Sequence, residues 1–319
     1  MTTNIKNSTT LQTILKKKES SVFIALFLLC VVVSLLSPYF LGMNNIFNVL
    51  RQFSVIAILA VGEALIIITG GIDLSVGSVL GLMGVINGLL ARANLPSAVI
   101  FVGCILAGSF VGSINGLLIT KVRINPFIVT LGMMSIARGT SLLITGGMPI
   151  WLEHPIDYLG SGYVGPVPVP VIIMFIIAGL GYIFTRKTLP GRNIYAVGNN
   201  DKAAKLSGIR VDQVKIMVFM IMGALCGISG MIISGTLSSA DPTAGTGYEL
   251  DVIAAVILGG ASLSGGEGSI MGVIMGAAIM GVLRNAFVLL NVSAYWQIVA
   301  IGVVIITAVG IDSLKNRET

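Results

Sequence analysis

The chain has 319 residues, of which 55% are hydrophobic and only 10% charged, with 40 glycines and a net charge of +6; its mean hydropathy is +0.99. Soluble domains carry about 25% charged residues and roughly 7% glycine, so a water-soluble globule is excluded. The basic balance is no argument for nucleic-acid binding, because membrane orientation accounts for it.

Residues 1–20 are polar and basic, ending in Lys16-Lys17-Lys18-Glu19-Ser20, and read as a cytoplasmic tail. Ser21–Leu41 is too long and apolar for a signal-peptide core and no small-residue cleavage site follows it, so it reads as a retained first span. A span needs about 20 apolar residues. Further candidates are Phe53–Ile72, Ser75–Ala93, Pro96–Thr120, Pro126–Thr145, Val169–Phe184, Val214–Leu237, Glu249–Leu263, Ser269–Leu290 and Tyr295–Ile311. The expected fold is therefore an all-α polytopic membrane bundle of about ten (8–10) spans, the short ones beside glycine-rich breaks reading as half-helices. The transmembrane domain runs from 21 to 313, and 314–319 form a second cytoplasmic tail. With the N-terminus inside, fifteen of the nineteen basic residues fall on the cytoplasmic side, as the positive-inside rule requires.

Glycines recur at four-residue spacing, as in Gly108/Gly112/Gly116 and Gly223/Gly227. That spacing puts them on one helix face, where backbones approach closely. Two breaks resemble each other: "TGGIDLSVGS" from Thr69 and "LGGASLSGGEG" from Leu258. Matching breaks suggest an internal repeat, and paired broken helices point to a transport path; two independent tight turns are the plainer reading. At membrane depth such breaks must face protein or water. Gly70, Gly71, Asp73, Ser75, Asn115, Gly265, Gly266 and Asn285 are then candidates to line or gate that path. Asp73, standing before "LSV", also suits capping of the following helix. Asn115, Asn125 and Asn285 suit either a solute hydroxyl or a bridge between helices.

Charges inside spans need a partner or an aqueous cavity. Glu63, Arg138 and Arg284 are such charges, and an ion pair of Glu63 with an arginine is one solution. His154, in "IWLEHPID", reads as a loop residue. Cys30, Cys104 and Cys226 read as buried small hydrophobes, with no disulfide or metal site. No G-x-x-x-x-G-K-[ST] occurs, so no ATP site, catalytic residue or cofactor is expected in this chain. The longest cytoplasmic segment, 186–215, contains "NDKAAKLSG". Asn200 or Asp201 can cap a short helix there that Gly208 closes. Asp201, Lys202, Ala203, Ala204, Lys205, Leu206, Ser207, Gly208 and Ile209 form the candidate docking element for another protein's groove.

The break at Thr69, "NPFIVTLGMMSIARG", "GRNIYAVGNNDKAAKLSGI" and "PTAGTGYELDVIAAVILGGASLSGGEG" together resemble the permease subunits of bacterial carbohydrate ABC importers, within them the ribose-type branch. The resemblance runs from about Phe53 to Ile311. It implies a homodimer in the cytoplasmic membrane, working with an ABC ATPase and an extracytoplasmic sugar-binding protein. It also implies that Asp201–Ile209 is the coupling helix, and that the solute is a small sugar, ribose first, with other pentoses and hexoses behind. An ion-gradient-driven secondary transporter is the alternative, with Glu63 as proton carrier. "GISG" at Gly227–Gly230 matches an intramembrane protease motif, but His154 lies in a loop and the serine lacks a base.

Overall fold

The computed structural model describes residues 18–315; most of the expected N-terminal tail and the last four residues lie outside them. Each expected span has a helix: α1 (Lys18–Leu36), α2 (Met43–Ile68), α3 (Val76–Arg92), α4 (Ser97–Leu117) and α5 (Pro126–Thr145). After the short α6 (Tyr158–Ser161), α7 covers Val169–Lys187. Two helices in the 186–215 segment, α8 (Leu189–Asn199) and α9 (Asp201–Leu206), precede α10 (Val211–Leu237). The chain ends with α11 (Tyr248–Leu258), α12 (Ile270–Leu289) and α13 (Ala294–Lys315). Six of the described helices are long and apolar enough to cross a membrane; α1, α3 and α13 contribute shorter apolar runs. With eleven residues and 1.5 Å per residue, α11 is about 16 Å long, roughly half a span.

The bundle is organised around α2, whose apolar window is 89% buried, whereas that of α4 is only 22% buried. α2 begins ten residues before the apolar run that marks it in sequence. Its first turns, "MNNIFNVLRQ", carry too many polar residues for hydropathy to detect. α4 packs on α10 through glycine. A Cβ on Gly108 would strike the Gly223 carbonyl, one on Gly223 the Gly108 carbonyl, and one on Gly112 the Phe219 carbonyl. The two backbones therefore touch with no side chain between them, as close-packed membrane helices do. On the side away from α8 and α9, β1 (Ile150–Trp151) pairs antiparallel with β4 (Ser239–Ala240), and β2 (Tyr163–Val164) with β3 (Val167–Pro168). The first pair ties the loop 146–168 to the end of α10, and the second is a hairpin within that loop.

Candidate functional site

The two repeated breaks meet. α2 ends with Gly70 at φ +77°, Gly70 N–H donating to Ile67 O (2.9 Å) and Gly71 N–H to Ile66 O (3.1 Å). α11 ends with Gly260 at φ +86°, Gly260 N–H donating to Ile257 O (2.9 Å) and Ala261 N–H to Val256 O (3.2 Å). Both are the Schellman closure, which places glycine in the left-handed region just past the helix. The geometric match is offset by one residue from the sequence match, Gly70 corresponding to Gly260 and Gly71 to Ala261. Gly266 N–H then donates to Ile68 O (2.9 Å), and a Cβ on Gly265 would lie 3.2 Å from Gly70 N. Gly70, Gly71, Gly265 and Gly266 thus form one junction.

That junction rests on α8. A Cβ on Gly198 would strike the Ile68 carbonyl, and one on Gly266 the Asn199 side chain. Tyr195 Oη donates to Gly268 O at 3.0 Å. Burial pushes the Tyr195 phenol above its ordinary pKa. The breaks therefore sit at the end of the bundle that carries the 186–215 loop.

Behind the junction lies a buried polar cluster. Asp73 Oδ1 accepts from Ser75 N (2.8 Å) and Ser75 Oγ (2.6 Å), an Asx turn just before α3. The N-cap residue is Ser75, without a side-chain cap bond, so the expected capping by Asp73 is not made. Glu63 Oε1 accepts from Asp73 N at 3.0 Å, and Asn115 Nδ2 donates to Ser75 Oγ at 3.2 Å. Glu63, Asp73, Ser75 and Asn115 are 0%, 3%, 1% and 1% exposed, so they brace helices and line no open path in this conformation. Asn285 is elsewhere, exchanging amide hydrogen bonds with Asn45 at 2.8 and 3.0 Å. The arginines also find partners other than Glu63. Arg284 pairs with Asp251 at 2.5 Å, and Arg138 Nη1 donates to Pro242 O (2.6 Å) and Ala244 O (2.9 Å). Arg284 also lines a cavity of about 290 Å³ with Arg51, Gln52, Thr236 and Tyr248.

In the 186–215 segment, Asn200 caps α9: Ala203 N–H donates to its Oδ1 at 3.0 Å. Gly208, at φ +85°, closes the helix with the same Schellman pair, Gly208 N–H to Lys205 O and Ile209 N–H to Ala204 O. Ala204 turns inward at 5% exposed while Leu206 is 89% exposed. Asp201, Lys202, Ala203, Lys205, Ser207 and Gly208 are exposed and Ile209 half-buried. The outward apolar contact is thus Leu206, flanked by lysines.

Sequence reasoning missed α8 and the segment 241–247. α8 had a signal in "TLPG": Thr188 Oγ1 accepts from Gly191 N at 3.1 Å and Pro190 sits in the first turn. The segment's "DPTAGTG" is a Pro/Gly cluster just before an unusually short helix.

The chain is thus a bundle of apolar helices whose two glycine-closed breaks meet on the 186–215 segment, and its family is that of a transport permease. The chain belongs to the family described as branched-chain amino acid transport system / permease component, which matches residues 45–309. It is similar to ribose import permease protein RbsC of Haemophilus influenzae, 43% identical over 305 residues, 94% of each chain. RbsC of Escherichia coli K12 is 44% identical over 303 residues, 93% of this chain and 94% of that one. RbsC of Bacillus subtilis is 45% identical over 298 residues, 92% of each. No solved structure matches the chain.

Proposed function

We propose that this chain is the transmembrane permease subunit of an ATP-driven importer of a small sugar in the bacterial cytoplasmic membrane. Ribose is the first candidate, and other pentoses or hexoses follow. The observation that carries this reading is 43–45% identity, over more than nine-tenths of each chain, to three ribose import permeases. Two copies would form the path, a sugar-binding protein would deliver solute from outside, and a separate ATPase would supply the energy, this chain having no ATP site of its own. The ten helices α1–α5, α7 and α10–α13 would be spans with both termini cytoplasmic, α11 spanning together with the irregular segment before it.

The ATPase would dock on α9 around Leu206, and movement there would reach the glycine junction through α8. The capped, closed geometry of α9 supports this, because a rigid short helix with one apolar side chain at its tip suits a groove. Reconstitution with an ABC ATPase and a ribose-binding protein of the same importer tests the whole reading. Labelled ribose should accumulate in vesicles only with ATP, and a Leu206→Glu variant should lose the ATPase on co-purification while keeping its own yield. Uptake that persists without the ATPase and collapses with a protonophore would establish the gradient-driven alternative.

A further inference from the structure

The geometry points to segment 241–247 as one wall of an aqueous path, presenting Thr243 and Thr246 to a passing polyhydroxylated solute. This rests on the sugar-permease reading and adds to it a place where the solute is touched.

The segment is non-helical and descends alongside α3. A Cβ on Gly88 would meet Ala240, one on Gly81 would lie 2.8 Å from the Ala244 carbonyl, and one on Gly77 would strike the Gly245 carbonyl. Gly88 and Gly77 are eleven residues apart, or about 16 Å of helix, more than half of a hydrocarbon core ~30 Å thick. Irregular backbone at that depth is tolerated only inside protein or against water. The protein satisfies part of it: Arg138 takes the carbonyls of Pro242 and Ala244. Asp241 Oδ1 accepts from Thr243 N and Thr243 Oγ1, both at 2.7 Å. Even so, Thr243 and Thr246 are exposed, and Asp241, Ala244 and Gly247 are half-exposed. Lipid cannot solvate that face, so water does.

The chemistry of the wall selects the class of solute. Arg138 Nη1 is committed to two backbone carbonyls, and the nearby acids, Asp241 and Glu249, offset its charge and disfavour an anion. The threonine hydroxyl protons are held within the segment, Thr243 Oγ1 donating to Asp241 Oδ1 and Thr246 Oγ1 to Thr243 O at 2.6 Å. The two hydroxyl oxygens therefore face outward as acceptors for the hydroxyls of a neutral sugar.

Thr243→Cys and Thr246→Cys, each in a background without the native cysteines, test this in the assembled complex in vesicles. Phe110→Cys on α4 and Phe175→Cys on α7, at positions 66% and 61% exposed on the bundle exterior, serve as lipid-facing controls. The probes are a small impermeant thiol reagent and D-ribose. Both threonine positions should react at least about tenfold faster than the controls, because the reactive thiolate forms in water and not in hydrocarbon, and D-ribose should slow them. Reactivity no higher than the controls would overturn the wall, as would disulfide bonding between copies, which would make the segment a subunit interface. Fast labelling indifferent to D-ribose would remove the solute contact. Failure of the importer reading is separate: the unmutated complex would then accumulate no ribose, whatever the labelling.

Discussion

Glu63 and Asp73 put two carboxylates inside a membrane bundle, yet the geometry assigns them work as acceptors. Glu63 Oε1 receives the Asp73 backbone N–H, and Asp73 Oδ1 receives both donors of Ser75. Isosteres test this. Glu63→Gln and Asp73→Asn keep size and acceptor oxygens, so each should change stability by less than about 1 kcal/mol. Glu63→Leu leaves the Asp73 N–H buried without a partner, and Asp73→Ala frees the Ser75 N–H and hydroxyl; each should cost about 1–3 kcal/mol. Melting midpoints of the purified complex in one detergent give the comparison, and equal losses for Gln and Leu at position 63 would show that charge is what matters. That Asp73 would act as a local acceptor beside a helix start was legible, but it closes an Asx turn onto Ser75, which is itself the N-cap residue of α3, and makes no cap bond to the helix. The partner of Glu63 was not legible, since a backbone N–H ten residues away has no side chain to announce it and an arginine is the partner that sequence suggests. His154 was legible for the same local reason as Asp73: its Nδ1 accepts from Ile156 N at 3.2 Å within its own turn.

Between elements, glycine decides what can approach what. At Gly198 the α8 backbone lies directly on the Ile68 carbonyl and beside Gly266 N, so a methyl group there must push α8 away from the junction of the two breaks. Gly198→Ala should therefore cut ATP-driven sugar uptake by an order of magnitude or more while α9 still retains its ATPase on co-purification. Uptake at the unmutated rate would mean that α8 transmits nothing through this contact. A different outcome is expected where glycine joins two spans. Gly108→Val would drive a branched side chain into the Gly223 carbonyl, and overpacking of this kind costs ~1–3 kcal/mol or more. Membrane yield and melting midpoint should both fall, whatever the transport readout. The four-residue glycine spacing forecast close packing on the faces of α4 and α10, because a period close to the helical repeat survives in sequence, but not that these two helices pair with each other. The breaks were found for a similar reason, but their depth was not. Only packing on α8 puts them at the loop end of the bundle, while the irregular backbone that enters it is 241–247. An eleven-residue α11 beginning after "PTAGTG" carried that information in its length.

Orientation belongs to the whole molecule, and it connects the charge distribution to every functional assignment made above. The loop 118–125 carries Lys121 and Arg123, and its Lys121 reaches Asp212 at the start of α10 with an N–O distance of 2.7 Å. Both side chains are at least half exposed, so this pair adds little stability; it marks where the basic end of the bundle lies. α8 and α9 occupy that same end with Arg192, Lys202 and Lys205, whereas the strand pair β1–β4 and the loop bearing Glu153 close the other. By the positive-inside rule, α9 is expected in the cytoplasm and Glu153 outside. In a background without the native cysteines, Glu153→Cys should react with an impermeant maleimide on intact cells, and Lys202→Cys only after permeabilisation. Both positions are exposed in the fold, so a failure to label reports sidedness and not burial. Labelling of Lys202→Cys from outside would invert the bundle. It would also detach the ATPase from α9 and place the glycine junction at the wrong face for a motor to move it.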